Sequence, residues 1–225
     1  MYQGDNGPMI EAPVRVSAIQ SAYDLYSWFY GFTAVLMEGK PRPRGLELAA
    51  IQPQDRVLEV AVGTGATLLE ILKRVGKANV VYGVDLSPRM LEKTRRAVAK
   101  AGFTNVNLRR GDARSLPFDD NSFDVLFSSY MLDLVPLADM PIILGEFRRV
   151  LENGGRLVLV NSSKDHGITL WERIYRATPA RLVPYLYGGC RPVLMAEHTR
   201  LAGFQDVHRE FIKGIIPSEV VVGRK

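Results

Sequence analysis

The chain has 225 residues, 47% of them hydrophobic and 24% charged, which excludes a disordered or fibrous protein and suits one domain with a sizeable core. Its single cysteine, Cys190, excludes an internal disulfide framework and fits a reducing compartment, and the dispersed His166, His198 and His208 offer no metal-ligand spacing, so no metal is expected. The net charge of +5 allows an anionic partner such as a membrane surface, but the first twelve residues lack a signal-peptide start and the uncharged run 25–37 is too short to span a bilayer.

In chain order, residues 1–16 hold Gly4, Gly7, Pro8 and Pro13 and read as loose. Residues 17–37 read as a helix crowded with aromatic side chains, among them Tyr23, Tyr26, Trp28 and Phe29. Pro41-Arg42-Pro43 breaks it, and a short helix is expected over 44–50. Strand patterns at 56–61, 79–84, 105–110, 123–128 and 155–160 then alternate with helix patterns at 66–75, 87–102 and 137–151. Ser87-Pro88 supplies an N-cap and an N1 proline. Asn153-Gly154-Gly155 reads as a left-handed C-cap ending the third helix. Residues 161–190 read as an irregular, partly helical insert with Trp171, Tyr175, Tyr185 and Tyr187. A helix at 192–202 and two antiparallel strands, 205–212 and 217–223, follow.

The alternation predicts an α/β fold: a Rossmann-like, doubly wound, seven-stranded sheet, mostly parallel with an antiparallel C-terminal strand and helices on both faces. The whole chain reads as one domain. Residues 17–50 form a helical cover, 51–160 a cofactor-binding core, 161–190 a substrate-side insert, and 191–225 a helix and hairpin. The expected localisation is cytoplasmic, with peripheral membrane contact allowed.

Four signals fall at the C-terminal ends of successive strands, where open α/β sheets bind ligands. They are the run from Glu59 through Gly65, then Asp85-Leu86, then Gly111-Asp112-Ala113, then Ser128-Ser129-Tyr130. A Gly-x-Gly turn lets a ligand approach the backbone, helix amides face an anion, and an acid meets ribose hydroxyls. NAD is a rival for such a crevice. However, Leu68 stands where its fingerprint needs a third glycine, and no Tyr-x-x-x-Lys pair exists.

Over residues 20–160 the sequence resembles class I S-adenosylmethionine-dependent methyltransferases, in the branch with the ubiquinone/menaquinone C-methyltransferases and small phospholipid N-methyltransferases. The resemblance rests on Val-Leu-Glu-Val-Ala-Val-Gly-Thr-Gly (57–65), Gly-Val-Asp-Leu-Ser-Pro-Arg-Met-Leu (83–91), Gly-Asp-Ala (111–113), Leu-Pro-Phe-Asp-Asp-Asn-Ser-Phe-Asp (116–124) and Glu-Phe-Arg-Arg-Val-Leu-Glu-Asn-Gly-Gly (146–155). Ala61 departs from the family's glycine, which is tolerable where the backbone is not left-handed.

The resemblance implies S-adenosylmethionine as cofactor and S-adenosylhomocysteine as product. Gly63, Thr64 and Gly65 would underlie the methionine moiety, beside Ala61, and Glu59 would hold the ammonium. Asp85 would take the ribose hydroxyls. Leu86 and Met90 would pack on adenine, with Asp112 and Ala113 at its edge. Ser128 and Tyr130 would line the methyl-donor end, and Tyr23, from the helical cover, would bind the cofactor. Trp28, Tyr130, Trp171 and Tyr175 are the candidate acceptor-binding residues. Activated methyl transfer needs no obligatory catalytic side chain; His166 and Tyr130 are the candidates if a proton must be moved. The favoured function is methylation of a small-molecule, lipid-like or quinone-like acceptor. The alternatives are an RNA or protein methyltransferase, and a non-catalytic binding protein. Nucleic acid is not the expected partner: no nucleic-acid module is visible, and Ser128-Ser129-Tyr130-Met131 stands where base methylators often carry an Asn-Pro-Pro-Tyr-type tetrapeptide.

Overall fold

The computed structural model describes residues 9–11, 40–77, 79–164, 170–179, 182–183, 190–214 and 216–225, with backbone alone at 170 and 171. The aromatic stretch 17–37, with Tyr23 and Trp28, lies outside the described residues, as do His166, Tyr185 and Tyr187. The first helix, α1, spans Pro41–Leu48, and β1 (Val57–Val60), α2 (Ala66–Val75), β2 (Val81–Asp85), α3 (Pro88–Lys100), β3 (Val106–Arg110) and β4 (Phe123–Ser129) follow. A 3₁₀ turn (Leu137–Asp139) leads into α4 (Met140–Val150) and β5 (Leu151–Ser162). Then come α5 (Leu170–Ala177), α6 (Met195–Leu201), β6 (Gln205–Ile212) and β7 (Ser218–Arg224).

The strands form one seven-stranded sheet in the order β3-β2-β1-β4-β5-β7-β6. The first five pair in parallel, and β7 lies antiparallel to both β5 and β6. This is the expected fold class. Each face carries its own core. Leu68, Ile71 and Leu72 of α2, Leu91 and Val98 of α3 and Leu46 of α1 cover Val57, Val125 and Val158. Ile143, Leu144 and Phe147 of α4, with Met195 of α6, cover Leu58, Leu126 and Leu157. β1 is buried on both faces along its length, so its run reads as continuously apolar except for Glu59. Because β1 connects outward to β2 while β4 lies on its other side, the chain reverses winding between β1 and β4, where a crevice opens.

Several boundaries differ from the sequence reading. The helix expected at 44–50 starts at Pro41, since prolines in a first turn sacrifice no intrahelical bond. The helix expected over 137–151 ends at Val150, and its supposed glycine cap lies inside β5. There the register jumps from Phe123↔Leu151 to Val125↔Arg156, and Gly154 at φ 78° serves the resulting bulge. The helix expected at 192 begins at Met195, because Val193 is still extended and bridges to Ser163. Residues 9–11 are not loose. The Ile10 carbonyl accepts from Arg191 Nε at 2.7 Å, and Glu11 Oε1 accepts from the Leu137 amide at 3.1 Å.

Ala61 has φ 64°, the left-handed region, so the condition under which alanine would be harmless there is not met. The turn demands this angle because the Ala61 and Val62 amides both donate to the Val84 carbonyl, at 2.8 and 3.2 Å. Left-handed backbone costs a non-glycine residue about 1–2 kcal/mol, while glycine adds about 0.4–1 kcal/mol of unfolded-state freedom. Ala61→Gly is therefore expected to raise stability by up to about 1 kcal/mol in urea unfolding. A loss would show that packing of the methyl group outweighs the strain.

Candidate functional site

The crevice is built on the turn that follows β1. Gly63 and Gly65 have φ 54° and 85°, which alanine adopts only at a cost. The Gly63 amide donates to Asp85 Oδ2 at 2.9 Å, and Thr94 Oγ1 donates to the Gly63 carbonyl at 2.9 Å. The other Asp85 oxygen accepts from the Ser87 amide at 2.9 Å, and Ser87 Oγ caps α3 through the Met90 amide at 3.2 Å. Burial pushes the Asp85 carboxyl up, and the amides of Ser87, Gly63 and Leu86 oppose that shift.

Glu59 is the unusual member. Its side chain is 1% exposed at the end of β1, and Oε2 has no hydrogen-bond partner. Burial raises its pKa well above the ordinary carboxylate value; the nearby Arg42 charge pulls it down and Asp85 pushes it up. Arg42, from the first turn of α1, projects into the same space with its guanidinium 5.5 Å from the Tyr130 ring centre. Tyr130 sits at φ 52°, a strained angle for a bulky residue, and its hydroxyl lies 3.1 Å from Ser218 Oγ.

Glu59, Ala61, Gly63, Thr64, Asp85, Leu86, Met90, Asp112, Ala113 and Tyr130 line one cleft, so the structure brings together most of the residues chosen from sequence. Three of the chosen residues that the structure describes do not line it. Gly65 stands behind the turn rather than in the wall: a Cβ there would come 2.9 Å from Thr94 Cγ2, so packing demands glycine. Ser128 is 2% exposed and absent from the wall, which Ser129 joins instead. The strand runs one residue further than expected, and a one-residue offset turns a side chain to the other face. Tyr175 is buried within α5 and takes no part in the wall. Trp171 lies in α5, but its side chain falls outside the described residues. Asp112 reaches the cleft already engaged: Arg114 Nη2 lies 2.6 Å from Oδ2 and holds the carboxyl below its usual range.

Sequence reasoning missed Arg42, Arg114 and the apolar wall of Met131, Leu134, Val135 and Ile143. The arginines carry no motif, and the apolar positions read as ordinary core.

The sequence profile of a family described as "Methyltransferase domain" matches residues 57–155. A demethylmenaquinone methyltransferase of Listeria monocytogenes is 35% identical over 138 residues, 61% of this chain and 57% of the relative, so the chain spans little more than half the length of that protein. One from Shouchella clausii is 32% identical over 165 residues, 73% of this chain and 69% of the relative. This chain belongs to the S-adenosylmethionine-dependent methyltransferase family. Among solved structures, one titled a possible histamine N-methyltransferase from Thermotoga maritima aligns with TM-score 0.66 at 21% identity, covering 91% of this chain and 99% of that one. The [4+2]-cyclase SpnF aligns with TM-score 0.71 at 19% identity, covering 96% and 98%. A cyclase among these neighbours shows that the fold alone does not decide the chemistry.

The family's cofactor is S-adenosylmethionine, and the residues present fit it. An unpartnered buried carboxylate oxygen suits an ammonium, the turn at Gly63 leaves open space beside the backbone, and Asp85 keeps lone pairs for hydroxyls. An ammonium beside Glu59 would favour its ionised form. S-adenosylhomocysteine binding is therefore expected to release protons at pH values below the raised Glu59 pKa, with affinity rising as pH rises toward it. Calorimetry in buffers of different ionisation enthalpy reads this directly, and Glu59→Gln should abolish the release. Proton uptake on binding would contradict it.

Proposed function

We propose that this chain transfers a methyl group from S-adenosylmethionine to a small, apolar ring acceptor of the quinol type. The observation that carries the reading is Glu59: a fully buried carboxylate with an unpartnered oxygen, at the central strand end, in a cleft that also holds Asp85 and the glycine turn. Such a site suits a nucleoside bearing a cationic amino-acid tail. The apolar wall opposite and the printed names of the relatives support the acceptor class.

When bound, the cofactor supplies a methyl group already activated on a sulfonium sulfur. The chain's own residues bind, orient and exclude water. Glu59 and Arg42 form a complementary pair for an amino acid, carboxylate toward ammonium and guanidinium toward carboxylate. Asp85 serves the ribose, while Leu86, Met90 and Ala113 make the adenine slot with Asp112 at its edge. Met131, Leu134, Val135 and Ile143 give the acceptor side a low dielectric, in which charge changes strongly on transfer.

The basic pairs that might have served nucleic acid are largely engaged elsewhere. Arg95 and Arg96 pair with Glu92, and Arg149 with Glu146 and Asp120. Arg109 lies over the Phe118 ring. Peripheral membrane contact is part of the proposal, supported by the exposed apolar side chains of Ile174 and Leu182. Among the described residues no helix is long and apolar enough to cross a membrane.

Two measurements check these assignments. Arg42→Ala should weaken S-adenosylhomocysteine at least tenfold yet leave 5′-methylthioadenosine, which lacks the amino-acid tail, nearly unchanged, as expected for losing a charge-assisted contact of about 1.5–3 kcal/mol. Equal losses for both ligands would move Arg42 out of the tail site. With methyl-labelled S-adenosylmethionine and reduced, short-chain demethylmenaquinone under anaerobic conditions, label should enter the ring compound in step with S-adenosylhomocysteine formation. Label found only in added RNA or protein would overturn the acceptor class.

A further inference from the structure

The chain folds back on itself directly after β3. The Ser115 amide donates to the Asp112 carbonyl at 3.0 Å and closes a tight turn. Within that turn the Asp112 carboxylate is held by Arg114. Oδ1 accepts from the Arg114 amide at 2.9 Å and from Arg114 Nε at 3.1 Å. Oδ2 accepts from Nη2 at 2.6 Å and shares Nε at 3.1 Å. The guanidinium also has a second anchor. Its Nη1 donates to Asp139 Oδ2 at 3.3 Å. Asp139 stands immediately before α4, and its side chain makes no cap bond to that helix. Arg114 therefore joins the end of β3 to the start of α4.

Asp112, Arg114 and Asp139 all line the cleft, in company with Leu86, Met90 and Ala113. The side chains are 35%, 50% and 21% exposed, so the ion pairs by themselves add little to stability. Their placement matters more. A flat ring seated among Leu86, Met90 and Ala113 would displace water from this edge, and electrostatic contacts strengthen as water leaves.

The carboxylate is nearly saturated before any ligand arrives. An ionised carboxylate offers about four lone-pair sites. Three hydrogens already point at Asp112, from the Arg114 amide, Nη2 and Nε, and the last is shared between both oxygens. About one acceptor site is left, and its direction is fixed because the fork stops the carboxylate from rotating. Arg114 also holds Asp112 below the usual carboxylate range, so the group stays an acceptor only. A protonated acid could donate to an oxo group and would lose that distinction.

We propose that Arg114 sets the base selectivity of the cleft: by holding Asp112 as a single directed acceptor at the edge of the slot, it makes the site take a 6-aminopurine and reject the 6-oxo counterpart. This deepens the proposed cofactor reading and rests on it. A 6-amino group brings a hydrogen to the remaining site. A 6-oxo group turns lone pairs toward lone pairs. Arg114 is a positioning residue here, since it acts through Asp112. Lysine would not replace it, because a point charge cannot hold two oxygens in one plane.

Calorimetry on the full chain with S-adenosylhomocysteine and S-inosylhomocysteine tests this, since the two ligands differ only at the purine. Wild type should bind the amino form tighter by roughly tenfold or more, as expected for a contact to a charged acceptor. Arg114→Ala should bring the two affinities within about threefold, by weakening the amino form and leaving the oxo form as it was. A merely structural role would weaken both ligands alike. Arg114→Lys should lose the preference as well. In an Asp112→Ala background, removing Arg114 should change the affinity ratio by less than about twofold, as a residue acting through Asp112 requires. Equal binding of the two ligands by wild type overturns the proposal. So does a wild-type ratio in either Arg114 variant, an equal loss of both ligands, or a further change in the double variant. Tight S-adenosylhomocysteine binding with any of these results leaves the cofactor reading intact. Failure of wild type to bind S-adenosylhomocysteine at all sinks both.

Discussion

The site depends on one constraint: the turn after β1 is held in a left-handed path from three directions. The Val84 carbonyl takes two amides, Asp85 takes the Gly63 amide, and Thr94 grips the Gly63 carbonyl. β2 and α3 thereby dictate the shape of a loop that belongs to β1. Ala61 accepts its strained angle because this network over-determines it. Asp85 consequently has two duties, since the carboxylate that would meet a ribose also braces the floor beneath it. Ribose binding at Asp85, as proposed, would couple to local rigidity through one side chain.

The sheet separates its buried charge into two populations. Away from the cleft, Glu172 and Glu219 are matched by Lys164, Arg176 and Arg209, and these pairs secure α5 and the outer strands. At the ends of β1 and in the loop after β4 the carboxylates are left unmatched. Ionic pairing thus supports architecture at the periphery, while Glu59 at the centre has no ion-pair partner among the described residues. The apolar side chains that line the cleft with Glu59 keep the local dielectric low, which sharpens the effect of that carboxylate.

Sequence periodicity made the parallel strands and the cleft's main-chain features legible, because each strand end carries its signature within a few residues. What it concealed was tertiary. Gly154 reads as a helix cap until the β4–β5 register shows a bulge. Ser128 and Ser129 differ by one position, yet only the structure says which faces the cleft. Arg42 comes from a helix remote in sequence, and nothing local marks an arginine as lying over the Tyr130 ring. Asp133 sits inside the apolar run 131–135, where a lone acid in a loop looks solvated until its burial is seen.

The strand order also governs how the sheet can assemble. β7 lies between β5 and β6, and β6 has no other partner in the sheet. A chain ending before β7 could pair the five parallel strands, but β6 would have nothing to join. Its backbone donors and acceptors would stay exposed until β7 arrived, and β5 would present an open edge on the far side. This topology makes the interval between formation of the parallel half and insertion of β7 the stage most exposed to intermolecular strand pairing. A late-closing sheet edge, rather than the cofactor cleft, is where slow folding and aggregation would first be felt.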